Sequence, residues 1–164
     1  MYQYSPLYKA VYYHHIDATK LLLDHGAAAN DTRWNHRGTN MLHIATDLEI
    51  IKLLIDYGAD VNTKSLWCIN YTSATLYNNS SMIQLLIDRG ADVNGPCDHW
   101  GMTPLHRAAG NGYTDSVKCL IRNGADTNIK NTSGLTPLDV ALNSRHHHIV
   151  DILRKNYNHA SSIL

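Results

Sequence analysis

The chain has 164 residues, and its 14 lysines and arginines are balanced by 14 aspartates and glutamates. A formal charge near zero offers no basic field to nucleic acid or anionic lipid. Cys68, Cys97 and Cys119 are odd in number and form no C-x-x-C pair, which reads as free thiols in a reducing, intracellular compartment.

No apolar run approaches the roughly 18 residues of a membrane span, and Met1-Tyr2-Gln3-Tyr4 begins no signal peptide, so a soluble cytoplasmic protein is expected, with the nucleus also open to it. The rest of the chain reads as units of two short helices. The first, about 1–31, opens on Ser5-Pro6-Leu7-Tyr8 and has its second helix from Thr19 to Leu23. Tyr2, Tyr4, Tyr8, Tyr12 and Tyr13 crowd this unit, whose outer face is expected to meet solvent. Tyrosine suits that, with an apolar body and a polar tip.

The second unit, about 32–63, follows an extended link, Asp31-Thr32-Arg33-Trp34-Asn35-His36-Arg37. It keeps Leu42-His43 and Ala45 but reaches Glu49-Ile50-Ile51-Lys52-Leu53-Leu54 too soon, so its first helix or inter-helix turn is expected to be clipped. The third, about 64–95, diverges most: Ile69-Asn70-Tyr71-Thr72 replaces the usual helix start and Trp67 the usual turn glycine. Losing the cap alone weakens helix initiation by about 1 kcal/mol, which predicts a soft spot or a specialised surface. Its second helix, Met82 to Arg89, remains clear.

The fourth unit, about 96–129, is the pattern complete. Thr103 is an N-cap candidate and Pro104 a first-turn residue of a helix through Leu105, Ala108 and Ala109, stopped by Gly110-Asn111-Gly112. Val117, Leu120 and Ile121 then form the apolar face of a helix from Asp115 to Arg122, closed by Gly124. The fifth, about 130–158, repeats Gly134-Leu135-Thr136-Pro137-Leu138 with Asp139 for the histidine, and its second helix carries Ile149, Val150, Ile152 and Leu153. Tyr157 falls where the terminating glycine would be, Arg145, His146, His147, Asp151, Arg154 and Lys155 suit a polar outer cap, and 159–164 reads as a short frayed tail. Two such helices cannot bury their apolar faces alone. The units must stack.

Four closing boxes set the period: Gly26-Ala27-Ala28-Ala29-Asn30, Gly58-Ala59-Asp60-Val61-Asn62, Gly90-Ala91-Asp92-Val93-Asn94 and Gly124-Ala125-Asp126-Thr127-Asn128, spaced 32, 32 and 34 residues apart. With the Thr-Pro-Leu-His motif at 103–106, the chain resembles the ankyrin-repeat family from Ser5 to about Tyr157. The resemblance implies an all-α solenoid of about five helix-turn-helix repeats with hairpin fingers, a single domain over 1–164 and a monomer. Leu7, Leu21, Leu22, Leu42, Leu54 and their counterparts are expected inside, each worth about 1.5 to 3 kcal/mol when fully buried.

Chemistry is not expected. The histidine run 146–148 sets only His147 and Asp151 on one helix face, short of the three or four ligands zinc needs. His43 and His106 belong to the repeat motif, where the resemblance implies that the imidazole bonds nearby backbone. Asp92 and Asp126 sit at equivalent turns, which side-chain to backbone hydrogen bonding explains. With no phosphate loop, nucleophile elbow or metalloprotease motif, neither enzyme nor cofactor is predicted.

The predicted function lies on the surface. In the ankyrin family partners are usually held by the fingers and the first helices, and the candidate positions are Tyr12, Tyr13, Arg37, Leu66, Tyr77, His99, Trp100 and Met102, flanked by Tyr4, His36, Cys68, Leu76, Asn111, Thr132, Ser133 and Leu135. Several are aromatic, the type that most often anchors an interface. The competing reading is that Trp34, Trp67 and Trp100 pack against adjacent fingers. The asparagine and tyrosine content, the lack of phenylalanine and the clipped second repeat further resemble ankyrin proteins of large DNA viruses, especially poxviruses. That resemblance implies binding of a host defence or signalling protein, without the F-box-like domain many such proteins carry. The alternative is a scaffolding adaptor in a cellular multi-protein assembly.

Overall fold

The computed structural model describes residues 4–31, 40–62, 78–96 and 98–161, with side chains to 156. It divides into two compact units, 1–73 and 74–164. The first holds α1 (Pro6–Tyr12), α2 (Ile16–Asp24), a 3-10 helix (Met41–His43) and α3 (Leu48–Asp56). The second holds α4 (Ser80–Asp88), α5 (Pro104–Asn111), α6 (Thr114–Arg122), α7 (Pro137–Asn143) and α8 (His147–Ser161).

Side chains start most of these helices. Ser5 Oγ accepts the Tyr8 amide, Asp47 Oδ1 the Glu49 and Ile50 amides, and Asn79 Oδ1 the Met82 amide, each satisfying an otherwise orphaned donor. At α5 and α7 the cap is reciprocal. Thr103 and His106, then Thr136 and Asp139, form complete capping boxes, each followed by a first-turn proline. The box glycines Gly26, Gly58, Gly90 and Gly124 end α2, α3, α4 and α6 at φ between +84° and +88°, where a Cβ would be strained.

The clipped second repeat is real: its first arm is a 3-10 helix of three residues, with Asn40 Oδ1 accepting the Leu42 amide. Three complete helix pairs, α1/α2, α5/α6 and α7/α8, and a fourth with this shortened arm give three to four described repeats instead of five. The expected first helix of repeat three falls within 63–77, outside the described residues. Helix α8 runs on to Ser161, over residues read as tail, because no left-handed glycine stands at Tyr157 to stop it.

Within each unit the repeats stack. In the second, α5 packs on α7, and α6 lies against α4 and α8. The cores hold Leu7, Val11, Leu42, Ile50 and Leu54 in one unit, and Met82, Leu105, Val117, Leu120, Ile149 and Leu153 in the other. Among the predicted core residues Leu22, Leu53, Leu85 and Leu138 are only half-buried, and Leu21 is exposed, at 59%. The buried stripe of α2 is Thr19 and Leu23, four residues apart, and Leu21 lies two residues from each, about 200° round the helix.

Asparagine at the end of two of the boxes, Asn30 and Asn94, ties one repeat to the next. Asn30 Nδ2 donates to the Gly58 carbonyl and its Oδ1 accepts the Asp60 amide, both at 2.7 Å. Asn94 does the same to Gly124 and Asp126 at 3.2 and 2.8 Å. The turn aspartates behave as expected, Asp60, Asp92 and Asp126 accepting the amides of Asn62, Asn94 and Asn128.

Candidate protein-interaction surface

The hairpin fingers of the expected fold are corrected here: among the described residues there is no β-strand. Residues 98–102 and 131–135 are instead short turns pinned by a side chain. Asp98 Oδ1 accepts the amides of Trp100 and Met102 at 3.0 and 3.1 Å, and Asn131 Oδ1 those of Ser133 and Leu135 at 2.9 and 3.0 Å. Gly101 and Gly134 take the left-handed position in each, at φ +66° and +76°. Because a carboxylate or amide oxygen satisfies two amides at once, no cross-strand ladder is needed.

The two turns are joined. The Trp100 carbonyl accepts both the Thr132 amide and the Thr132 hydroxyl, at 2.9 and 3.1 Å, and Asn131 Nδ2 donates to Met102 Sδ at 3.2 Å. Asp98 also accepts from the Arg107 guanidinium on α5. Behind them His106 is fully buried. Its Nδ1 accepts the Thr103 amide at 3.1 Å while Nε2 donates to the Leu135 carbonyl at 2.9 Å, a pattern that holds the ring as the neutral tautomer protonated on Nε2. Burial pushes its pKa down, partly offset by the Leu135 carbonyl and by Asp98 and Asp139. In the last repeat Asp139 takes this seat, its pKa lowered by hydrogen bonds from the Thr136 hydroxyl and amide.

Upon this fixed backbone the Trp100 side chain is 53% exposed, with the His99 ring centroid 3.8 Å away. About half of Trp100 is therefore open to solvent. His99 and Trp100 lie together on this turn, while Met102 Sδ faces Asn131. Tyr12 and Tyr13 form a second cluster in the other unit, exposed by 49% and 62% and in edge contact at 5.1 Å. Tyr8 joins it, stacked between Tyr4 and Tyr12 at 4.3 and 5.8 Å, and burial with these neighbours raises its pKa. Arg37, Leu66 and Tyr77 lie outside the described residues, as do His36, Cys68, Leu76, Trp34 and Trp67.

The sequence reading missed Asp98 and Asn131. Their signal was present: each stands three residues before a turn glycine, Gly101 and Gly134. It also placed His146 on the outer cap, whereas His146 Nε2 lies 3.1 Å from the Gly110 carbonyl and His148 Nε2 3.3 Å from that of Gly112, turning both rings toward the end of α5. Among the described residues no group of three His, Cys, Asp or Glu could hold a metal ion. Cys119 is a buried free thiol. No helix described is long and apolar enough to cross a membrane.

A family model described as ankyrin repeats, in three copies, matches residues 2–65 and 72–162. Rabankyrin-5 of Homo sapiens is 43% identical over 53 residues, covering 32% of this chain and 4% of that protein. The B-cell lymphoma 3 protein homolog of Mus musculus is 42% identical over 62 residues, 38% of this chain and 13% of its own length. A putative ankyrin repeat protein of fowlpox virus is 41% identical over 58 residues, 32% and 17% of the two chains. The chain spans less than a fifth of the length of each. Since a Rickettsia bellii protein and an Arabidopsis thaliana potassium channel match as well, the likeness does not single out poxviruses. Matched in this way over nearly its whole length, the chain belongs to the ankyrin-repeat family.

Proposed function

We propose that the protein is an interaction module that holds another protein on the turn at 98–102 and serves as a scaffolding adaptor in a multi-protein assembly. The observation that carries this reading is the contrast at Trp100, whose main chain is hydrogen-bonded on both sides while about half of the residue meets solvent. A rigid aromatic loses little entropy on binding, and such residues most often carry interface energy. Tyr12 and Tyr13, and also Arg37, Leu66 and Tyr77, are proposed as further partner-binding residues, and the protein to act as a cytoplasmic monomer.

A narrower version, in which the partner is a host defence or signalling protein, draws on the fowlpox relative, one of several spread across animals, plants and bacteria. Affinity capture from cell lysate separates binding from mere packing. The parent chain should retain a defined set of proteins that a folded Trp100→Ala variant loses. Identical capture by both would remove this turn as the binding site.

A further inference from the structure

We propose that a groove across the second helices of the 74–164 unit docks an acidic, leucine-bearing segment of a second partner protein. The groove encloses about 410 Å³ and shares no residue with the turns at 98–102 and 131–135 or with α5 and α7. It crosses α6, whose Lys118 and Arg122 both line it, with α4 on one side and α8 on the other. Four residues apart, they stand on one face about 6 Å from one another along the axis. Neither is ion-paired among the described residues, and both are exposed.

The lining defines the occupant. Ile121 and Ile152, both half-buried, supply an apolar strip beside the two cations, so a ligand must carry negative charge and an apolar side chain together. The volume lies within the range of about 300 to 1,000 Å³ typical of ligand sites, but those are lined mainly by apolar and aromatic side chains. Here Ser80, Asn156 and three charged residues line the groove beside the two isoleucines, so that its surface is about as polar as apolar, which suits a peptide better than a cofactor. Nucleic acid fits less well, because Asp115 also lines the groove and the chain has no net positive charge to hold a row of phosphates. A scaffold gains from such an arrangement. Two partners held on separate surfaces of one unit need not compete.

The test is fluorescence anisotropy of a labelled glutamate–leucine peptide of about ten residues against the full chain, at low and physiological salt. The parent should bind saturably and more weakly as salt rises. Lys118→Glu and Arg122→Glu should each weaken binding by about tenfold or more, and the milder Lys118→Ala and Arg122→Ala should weaken it in the same order, covering the case of a reversal that fails to fold. A glutamine–leucine peptide and oligouridylate should not compete. Trp100→Ala should leave binding unchanged, so that this groove and the turn at 98–102 succeed or fail separately. No saturable binding, equal binding by the charge-reversed variants, equal competition by oligouridylate, or loss in Trp100→Ala would each overturn the assignment.

Discussion

His106 Nε2 donates to the carbonyl of Leu135 at 2.9 Å, across the boundary between two repeats, from a ring that is fully buried and neutral. Its pKa is lowered on folding, so between that value and the unfolded value near 6.5 the unfolded chain binds more protons. The contribution is therefore complete above about pH 6.5 and is lost as pH falls toward the folded pKa. Protonation would also place a hydrogen on Nδ1 facing the Thr103 amide. Urea unfolding at pH 7.5 and pH 5.5 should show a drop in stability that His106→Gln largely removes. An equal drop in that variant would place the sensitivity elsewhere.

The asparagine tie between repeats is the second expectation. Asn94→Ala removes a donor and an acceptor that meet Gly124 and Asp126, and should cost about 1 to 3 kcal/mol in denaturant unfolding. Asn94→Asp keeps the acceptor for the Asp126 amide and should cost less than alanine. The reverse order would mean that the acceptor is not what holds the repeats.

Two glycines separate backbone strain from crowding. Gly124 has φ +85° with nothing near its missing Cβ, so Gly124→Ala should cost about 1 to 2 kcal/mol from conformation alone. Gly112, at φ +74°, would bring a Cβ within 2.8 Å of the His146 ring, and alanine there should cost more. Equal midpoints for the two variants would show that the His146 ring moves aside freely.

Leu21 and Leu23 give a direct check of the helix phase. Leu23→Ala should cost about 2 to 5 kcal/mol, and Leu21→Ala within about 0.5 kcal/mol of nothing. The run of leucines at 21–23 carries no polar residue to mark which side faces water, so only the phase set by Thr19 and the packing against α3 decides it.

That case shows where sequence was sufficient. The boxes at 26–30, 58–62, 90–94 and 124–128 mark the ends of four helices because only glycine meets the left-handed turn cheaply, and Thr103-Pro104 and Thr136-Pro137 mark the starts of two more by cap and fixed φ. These are local rules. The turns at 98–102 and 131–135 are also set locally, by Asp98 and Asn131 accepting amides two and four residues on, but the bonds from Thr132 to the Trp100 carbonyl that join them span 32 residues and are not marked in the sequence. The partners of His146 and His148 likewise lie 36 residues back, at α5, where no helical spacing points. Trp100 was legible as an aromatic at a finger position, but its exposure required the surrounding turn.

The most direct measurement is the affinity of a captured partner for three folded chains, the parent, Trp100→Ala and Lys118→Glu, by calorimetry. If the turn at 98–102 holds that partner, Trp100→Ala should lose about 2 kcal/mol or more, roughly thirtyfold, while Lys118→Glu stays within twofold of the parent. Equal affinity for the parent and Trp100→Ala would contradict this turn as the binding site.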